Sequence, residues 1–94
     1  MQPINQPIQM IASCSISGEF TPIRFRYENL NCELTTVNVL SVDNRKHKHF
    51  RTNNEMIYVC RGTIDGDDVE NRCYSYTLRY YIPTHSWSLV NMRR

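Results

Sequence analysis

The chain has few glycines, no long apolar run and almost no net charge, and each scarcity excludes a class of protein. Three glycines in 94 residues leave little material for a phosphate-cradling loop, and neither a P-loop nor a G-x-G-x-x-G motif occurs. No apolar stretch approaches the roughly 20 residues of a membrane-spanning helix, so no membrane partner is expected. A formal net charge of +2 excludes a histone-like polycation.

The first twelve residues lack the basic start and long apolar stretch of a signal peptide, and the chain has no Asn-x-Ser/Thr sequon. A cytoplasmic location with reduced thiols is therefore predicted. The four cysteines, Cys14, Cys32, Cys60 and Cys73, form no C-x-x-C pair. All but Cys32 lie in apolar strand-like runs, where cysteine acts as a small hydrophobe. Zinc is the alternative, but the spacings match no common zinc pattern, so no metal or other cofactor is expected.

The length allows one domain with one modest core. Pro3 and Pro7 lie in a polar stretch that predicts an N-terminal arm over residues 1–8, followed by a single β domain over 9–94. A weak strand is predicted over 9–17. Residues 22–28 then alternate strictly, with Ile23, Phe25 and Tyr27 on one face and Arg24 and Arg26 on the other, which indicates a half-buried strand.

Further strands are predicted over 34–42, over 56–62, over 72–82 and from residue 87 onward. The alternation slips within 34–42, which a β-bulge or burial on both faces would explain. The 72–82 segment has the clearest period of two, with Tyr74, Tyr76, Leu78, Tyr80 and Ile82 on one face. Residues 43–54 are polar and predict a long loop, and Asp65-Gly66 predicts a hairpin turn. The fold class is therefore all-β. About six strands form a small antiparallel meander, curled into a barrel or folded onto itself.

Four segments carry a resemblance as a set: PIRFRYE at 22–28, VLSVD at 39–43, MIYVC at 56–60 and LRYYI at 78–82, followed by Trp87 and Leu89. Together they resemble a group of short, uncharacterised all-β proteins of clostridial-type bacteria, often encoded beside mobile elements. The resemblance spans residues 22–92 and implies a β architecture and a bacterial cytosolic context. It implies no activity. The arm lies outside it, as does the histidine-rich stretch, where a more acidic segment is expected.

Two groups of cations are candidates for contact with phosphate. The segment 45–51 holds Arg45, Lys46, Lys48 and Arg51 together with Phe50, an aromatic residue that could stack on a base. The alternative is a solvated loop that happens to be basic.

The second group is the outward row Arg24 and Arg26, to which Arg79 could belong. Such arginines suit bidentate recognition of phosphate. They would equally form structural pairs across strands with Glu28, Glu33 and Glu55.

Catalysis has little support in the sequence. The three histidines, His47, His49 and His85, all fall in predicted loops, and no serine lies in a G-x-S-x-G elbow. A cysteine–histidine pair stays open, because such partners meet in space. Four carboxylates within residues 65–70 do not follow calcium-loop spacing. They indicate a solvated hairpin tip, with a metal site as the second interpretation.

The sequence therefore predicts a non-catalytic binding module. The specific hypothesis is nucleic-acid binding, with phosphate contacts from Arg24, Arg26, Arg45, Lys46, Lys48 and Arg51 and stacking by Phe50. The alternative is a protein-interaction or self-assembly module that pairs an exposed sheet edge or apolar face with a partner or a second copy. A small hydrolase or metal protein is a third class.

Overall fold

Six antiparallel strands close into a barrel in the computed structural model, which describes residues 5–50, 53–66 and 72–93. The strands follow in chain order as β1 Gln6–Cys14, β2 Phe20–Glu28, β3 Leu34–Phe50, β4 Asn53–Ile64, β5 Tyr74–Tyr81 and β6 Ser86–Arg93. One turn of 3-10 helix, Ile82–Thr84, joins β5 to β6. The described ranges hold no helix long and apolar enough to cross a membrane. The predicted antiparallel meander is confirmed, and its sheet closes into a barrel.

The interior of the barrel is filled largely by aromatic rings. Alternate residues of the strands point inward, and the buried set is Phe25, Tyr27, Val37, Tyr58, Cys60, Tyr76, Leu78, Tyr80 and Leu89. The rings of Phe25 and Tyr76 meet edge to face with centroids 5.2 Å apart, and Tyr80 packs on Trp87 at 4.8 Å. The predicted inward face of β5 is thus confirmed. Aromatic side chains supply most of this small core. The residues that alternate with them face outward and form the surface on which a ligand could bind.

The first strand begins at Gln6, three residues before its predicted start and within the segment predicted as an arm. Gln6, Pro7 and Ile8 pair with β6 opposite Leu89, Ser88 and Trp87, and this short ladder closes the barrel. This pairing joins strands from opposite ends of the chain, so no local sequence pattern predicts it. Residues 1–4 of the predicted arm lie outside the described residues.

The predicted long loop at 43–54 is wrong, because β3 continues to Phe50 and β4 begins at Asn53. The register of the two strands shifts twice, between Val39 and Ser41 and between Val42 and Asn44. The first shift confirms the predicted bulge. Polar residues form a strand here because they pair with β4 on one side, while the β3 side chains at 46–49 are exposed on both faces of the strand.

A second bulge corrects the predicted inward face of β2. Ile11 pairs with Arg24 whereas Ala12 pairs with Pro22, so Ile23 is the extra residue of the ladder. Its side chain is 47% exposed, and Pro22 is buried in its place. Strict alternation therefore holds only from Arg24 onward.

Candidate nucleic-acid interface

Arg24 and Arg26 point outward from β2 because Phe25 and Tyr27, which alternate with them, are buried. Arg26 stands in a cross-strand row between Gln9 of β1 and Thr36 of β3. The row ends at Asp65, whose backbone N–H donates to the Thr36 carbonyl at 2.8 Å. Arg26 and Asp65 are thus two strand spacings apart, about 10 Å.

The neighbouring row is centred on Arg24, which pairs with Ile11 of β1 and Asn38 of β3, and Asn38 pairs with Thr63 of β4. Arg24 Nε donates to Asn38 Oδ1 at 3.0 Å. This hydrogen bond orients the guanidinium and leaves its terminal nitrogens available to a ligand. We call the two rows the arginine face: Gln9, Arg26, Thr36 and Asp65, with Ile11, Arg24, Asn38 and Thr63.

Two depressions meet on the arginine face. The first, of about 290 Å³, lies between Arg24, Arg26, Thr36 and Asp65 and is bordered by β1. The second, of about 470 Å³, extends along the line between β1 and β2 toward the exposed Leu34. Gln9 and Arg26 line both. Arg26 therefore stands at the middle of a continuous shallow groove.

The charges of Arg24 and Arg26 are not neutralised by ion pairs with the described carboxylates, whose pairs lie elsewhere. Glu28 follows Arg26 on the outward face without coming within ion-pair distance, and Asp65 lies at the end of the row. The predicted salt-bridge alternative applies instead to Arg79, whose Nε lies 3.7 Å from Glu55 Oε2.

Arg45 is part of the fold, because its side chain points to the inner side of β3. Its Nη1 lies 2.7 Å from Glu19 Oε1, and Nη2 donates to the Phe20 carbonyl and to Thr21 Oγ1. The guanidinium carbon also lies 5.4 Å from the centre of the Tyr58 ring. These contacts occupy both terminal nitrogens, and Nε is buried, so the structure gives Arg45 a role in holding β2 against β3 and no free edge for a phosphate.

Lys46 and Lys48 lie on the opposite, outward side of β3 and are exposed. They pair in register with Ile57 and Glu55 of β4. Ile57 is six residues along β4 from Thr63 of the arginine face, which is about 20 Å. The lysine pair is therefore a separate cationic group, and the predicted basic segment is divided between two faces. The side chain of Phe50 and the whole of Arg51 lie outside the described residues.

The histidines belong to no metal-holding group among the described residues. His47 and His49 stack with ring centroids 6.1 Å apart, and His47 Nε2 hydrogen-bonds Asn54 Oδ1. Tyr80 Oη hydrogen-bonds His85 Nδ1 at 2.8 Å. Across residues 5–50, 53–66 and 72–93, no group of three or more histidine, cysteine or carboxylate side chains could hold a metal ion. Asp67, Asp68 and Glu70 of the acidic cluster lie outside those ranges.

The four cysteines are free thiols. Cys60 lies in the core, and its burial raises the pKa of the thiol to about 12, an effect to which Asp43 adds and which Arg45 opposes. Because the thiolate is the reactive form of cysteine, Cys60 is inert at neutral pH. Cys14, whose strand-like run predicts a small hydrophobe, is exposed at the end of β1.

No protein-family model, curated protein or solved structure matches this chain. The arginine face is therefore interpreted from its own geometry. Sequence reasoning found its two arginines from local alternation. It missed Gln9, Thr36 and Asp65 as their companions, because only the register between distant strands brings them together.

Proposed function

We propose that this protein is a non-catalytic binding module that holds single-stranded nucleic acid on its arginine face. The observation that supports the proposal is the pair Arg24 and Arg26, outward, unpaired with described acids and standing in one groove. Guanidinium groups bind phosphate oxygens in a bidentate manner. Arg26 at the centre of the groove would hold a phosphate and leave a depression on either side for the flanking nucleotides.

A single strand fits this surface better than a duplex. The groove is shallow and lies on the convex outer wall of a small barrel, so bases must leave a stack to enter it. Its walls include exposed apolar side chains, Ile11 and Leu34, against which an unstacked base can pack. The lysine pair, about 20 Å away along β4, supplies a second contact for a longer strand.

The test is a salt titration of a fluorescent single strand of about 12 nucleotides, a length within the usual site sizes. We expect the double variant Arg24→Ala/Arg26→Ala to lower the slope of log K against log[salt] by about 1.4, two contacts at about 0.7 each. The control is Arg93→Ala, which removes an exposed outward cation at the end of β6 that lines neither depression. It should change the slope by less than half as much. Absence of binding at low salt overturns the proposal.

Strand addition at β3 supports a second candidate, a protein-interaction module. The β2–β3 ladder ends at Arg24 and Asn38, whereas β3 continues to Phe50. Within the described ranges, that edge of β3 has no ladder partner beyond Asn38. Lysines on an edge strand oppose the addition of a second copy, which ranks this candidate below nucleic acid. Light scattering separates them, because a dimer that survives high salt would favour strand addition.

A further inference from the structure

We infer that the arginine face distinguishes bases as well as holding phosphates, and that it prefers cytosine to thymine or uracil. The inference rests on the proposed function and names the base that its groove accepts. Its basis is Asp65, a carboxylate that lines the same depression as Arg24 and Arg26.

A carboxylate beside two phosphate-binding arginines weakens the attraction for a polyanion, so it suits a different part of the ligand. Asp65 is exposed at the end of β4, and its backbone N–H is fixed on the Thr36 carbonyl at 2.8 Å. No described residue donates a hydrogen bond to its side chain or pairs with it as an ion. Both carboxylate oxygens are therefore open to a donor on a bound base.

The spacing fits one nucleotide. Asp65 lies two strand spacings from Arg26, about 10 Å, so a phosphate on Arg26 leaves room for a base reaching toward Asp65. The depression between them, about 290 Å³, is at the lower limit of ordinary ligand pockets. Thr36 stands between the two charges in the row.

The chemistry of the base edge sets the preference. Cytosine carries a 4-amino group that donates to a carboxylate, whereas thymine and uracil carry a carbonyl oxygen at the same position. A carboxylate facing that oxygen gains no hydrogen bond and places two acceptors in contact. The bases differ otherwise only at N3, which accepts in cytosine and donates in thymine and uracil, and in the 5-methyl group of thymine, so a carboxylate placed against position 4 selects cytosine.

The experiment compares oligo-dC and oligo-dT of about 12 nucleotides by fluorescence anisotropy at one low salt concentration and neutral pH. We expect the wild-type protein to bind oligo-dC about tenfold more tightly, the effect of one hydrogen bond to a charged group. Asp65→Asn should reduce the ratio to near one and strengthen oligo-dT binding, because the amide can donate as well as accept and carries no charge. An amide also preserves the turn chemistry before Gly66.

Asp43→Asn is the matched control, because Asp43 is an exposed carboxylate that is paired with Arg61 at 3.3 Å and lines neither depression. It should leave the dC-to-dT ratio unchanged. Equal wild-type affinity for the two oligonucleotides, with Asp65→Asn strengthening both alike, would overturn the base preference and leave the nucleic-acid proposal standing. Failure of both oligonucleotides to bind at low salt would end the proposed function itself.

Discussion

The side-chain amide of Gln6 forms two hydrogen bonds with the backbone of Glu28. Its Nε2 donates to the Glu28 carbonyl at 2.9 Å, and its Oε1 accepts the Glu28 N–H at 3.0 Å. An amide side chain has the same donor and acceptor as a peptide group. At this point β1 has turned from β2 toward β6, so Gln6 continues the β1–β2 connection that the backbone no longer makes.

We therefore expect Gln6→Ala to lower the free energy of unfolding by about 1 kcal/mol, because two exposed hydrogen bonds are lost at the closure of the barrel. Urea denaturation measures the change. Gln9→Ala removes the same side chain from the same strand, where the side chain has no hydrogen bond to a described residue, and should stay within about 0.5 kcal/mol of wild type. Equal effects of the two substitutions would contradict the role given to Gln6.

Substitutions of Arg45 test whether this arginine stabilises the fold or contacts the ligand. Arg45→Ala should cost about 1–2 kcal/mol of stability, because it removes the contact with Glu19, two hydrogen bonds to the β2 strand and the packing on Tyr58. Arg45→Lys should recover only part of this loss, since an ammonium group lacks the planar fork.

The nucleic-acid salt slope should stay near the wild-type value in both Arg45 variants. The measurements are urea denaturation and the anisotropy titration described above. A slope reduced by about 0.7 with unchanged stability would show that Arg45 contacts phosphate after all.

Local alternation predicted those parts of the fold in which each strand has one apolar and one polar face. β5 is the clearest case, since Tyr76, Leu78 and Tyr80 are buried as expected. The loop predicted over 43–54 is wrong because polar residues also form a strand where both of its faces are exposed, as at 46–49 of β3. The inward position predicted for Ile23 is wrong because a bulge reverses the alternation of every residue before it.

In the candidate site, too, local alternation predicts the residues of one strand but not their neighbours on other strands. Arg24 and Arg26 were predicted to face outward because their neighbours along β2 are apolar. The sequence predicts only a solvated turn at Asp65, since its proximity to Arg26 depends on the pairing of β2 with β3 and of β3 with β4. Register between strands is fixed by the whole barrel, so a single sequence predicts the residues of one strand face better than it predicts a row across four strands.

Gly62 allows β4 to approach β3 beside the arginine face. A Cβ atom there would lie 2.8 Å from the Asn38 carbonyl oxygen and 2.8 Å from Val37 Cγ1. Because the first of these atoms belongs to the backbone of β3, the strands would have to separate. Gly62→Ala should cost about 1–3 kcal/mol, the usual range for overpacking, as measured by urea denaturation. Thr63→Ala, at the next residue, should cost clearly less, and the reverse order would contradict the close approach of the strands.

Cys60 should make the stability of the protein depend on alkaline pH. Its folded-state pKa is raised from 9.0 to about 12 by burial, so above pH 9 the unfolded chain loses the thiol proton while the native state keeps it. The contribution is complete below the unfolded pKa and is lost as the pH rises toward 12. The slope approaches about 1.4 kcal/mol per pH unit.

Burial raises the pKa of Tyr27 and Tyr58 as well, so the wild-type slope contains more than the thiol. Cys60→Ala should flatten it by the thiol's share while retaining both phenols. Urea denaturation of wild type and Cys60→Ala between about pH 8 and pH 11 measures the two slopes. Identical pH dependence in wild type and Cys60→Ala would mean that the Cys60 thiol ionises as readily in the folded barrel as in the unfolded chain.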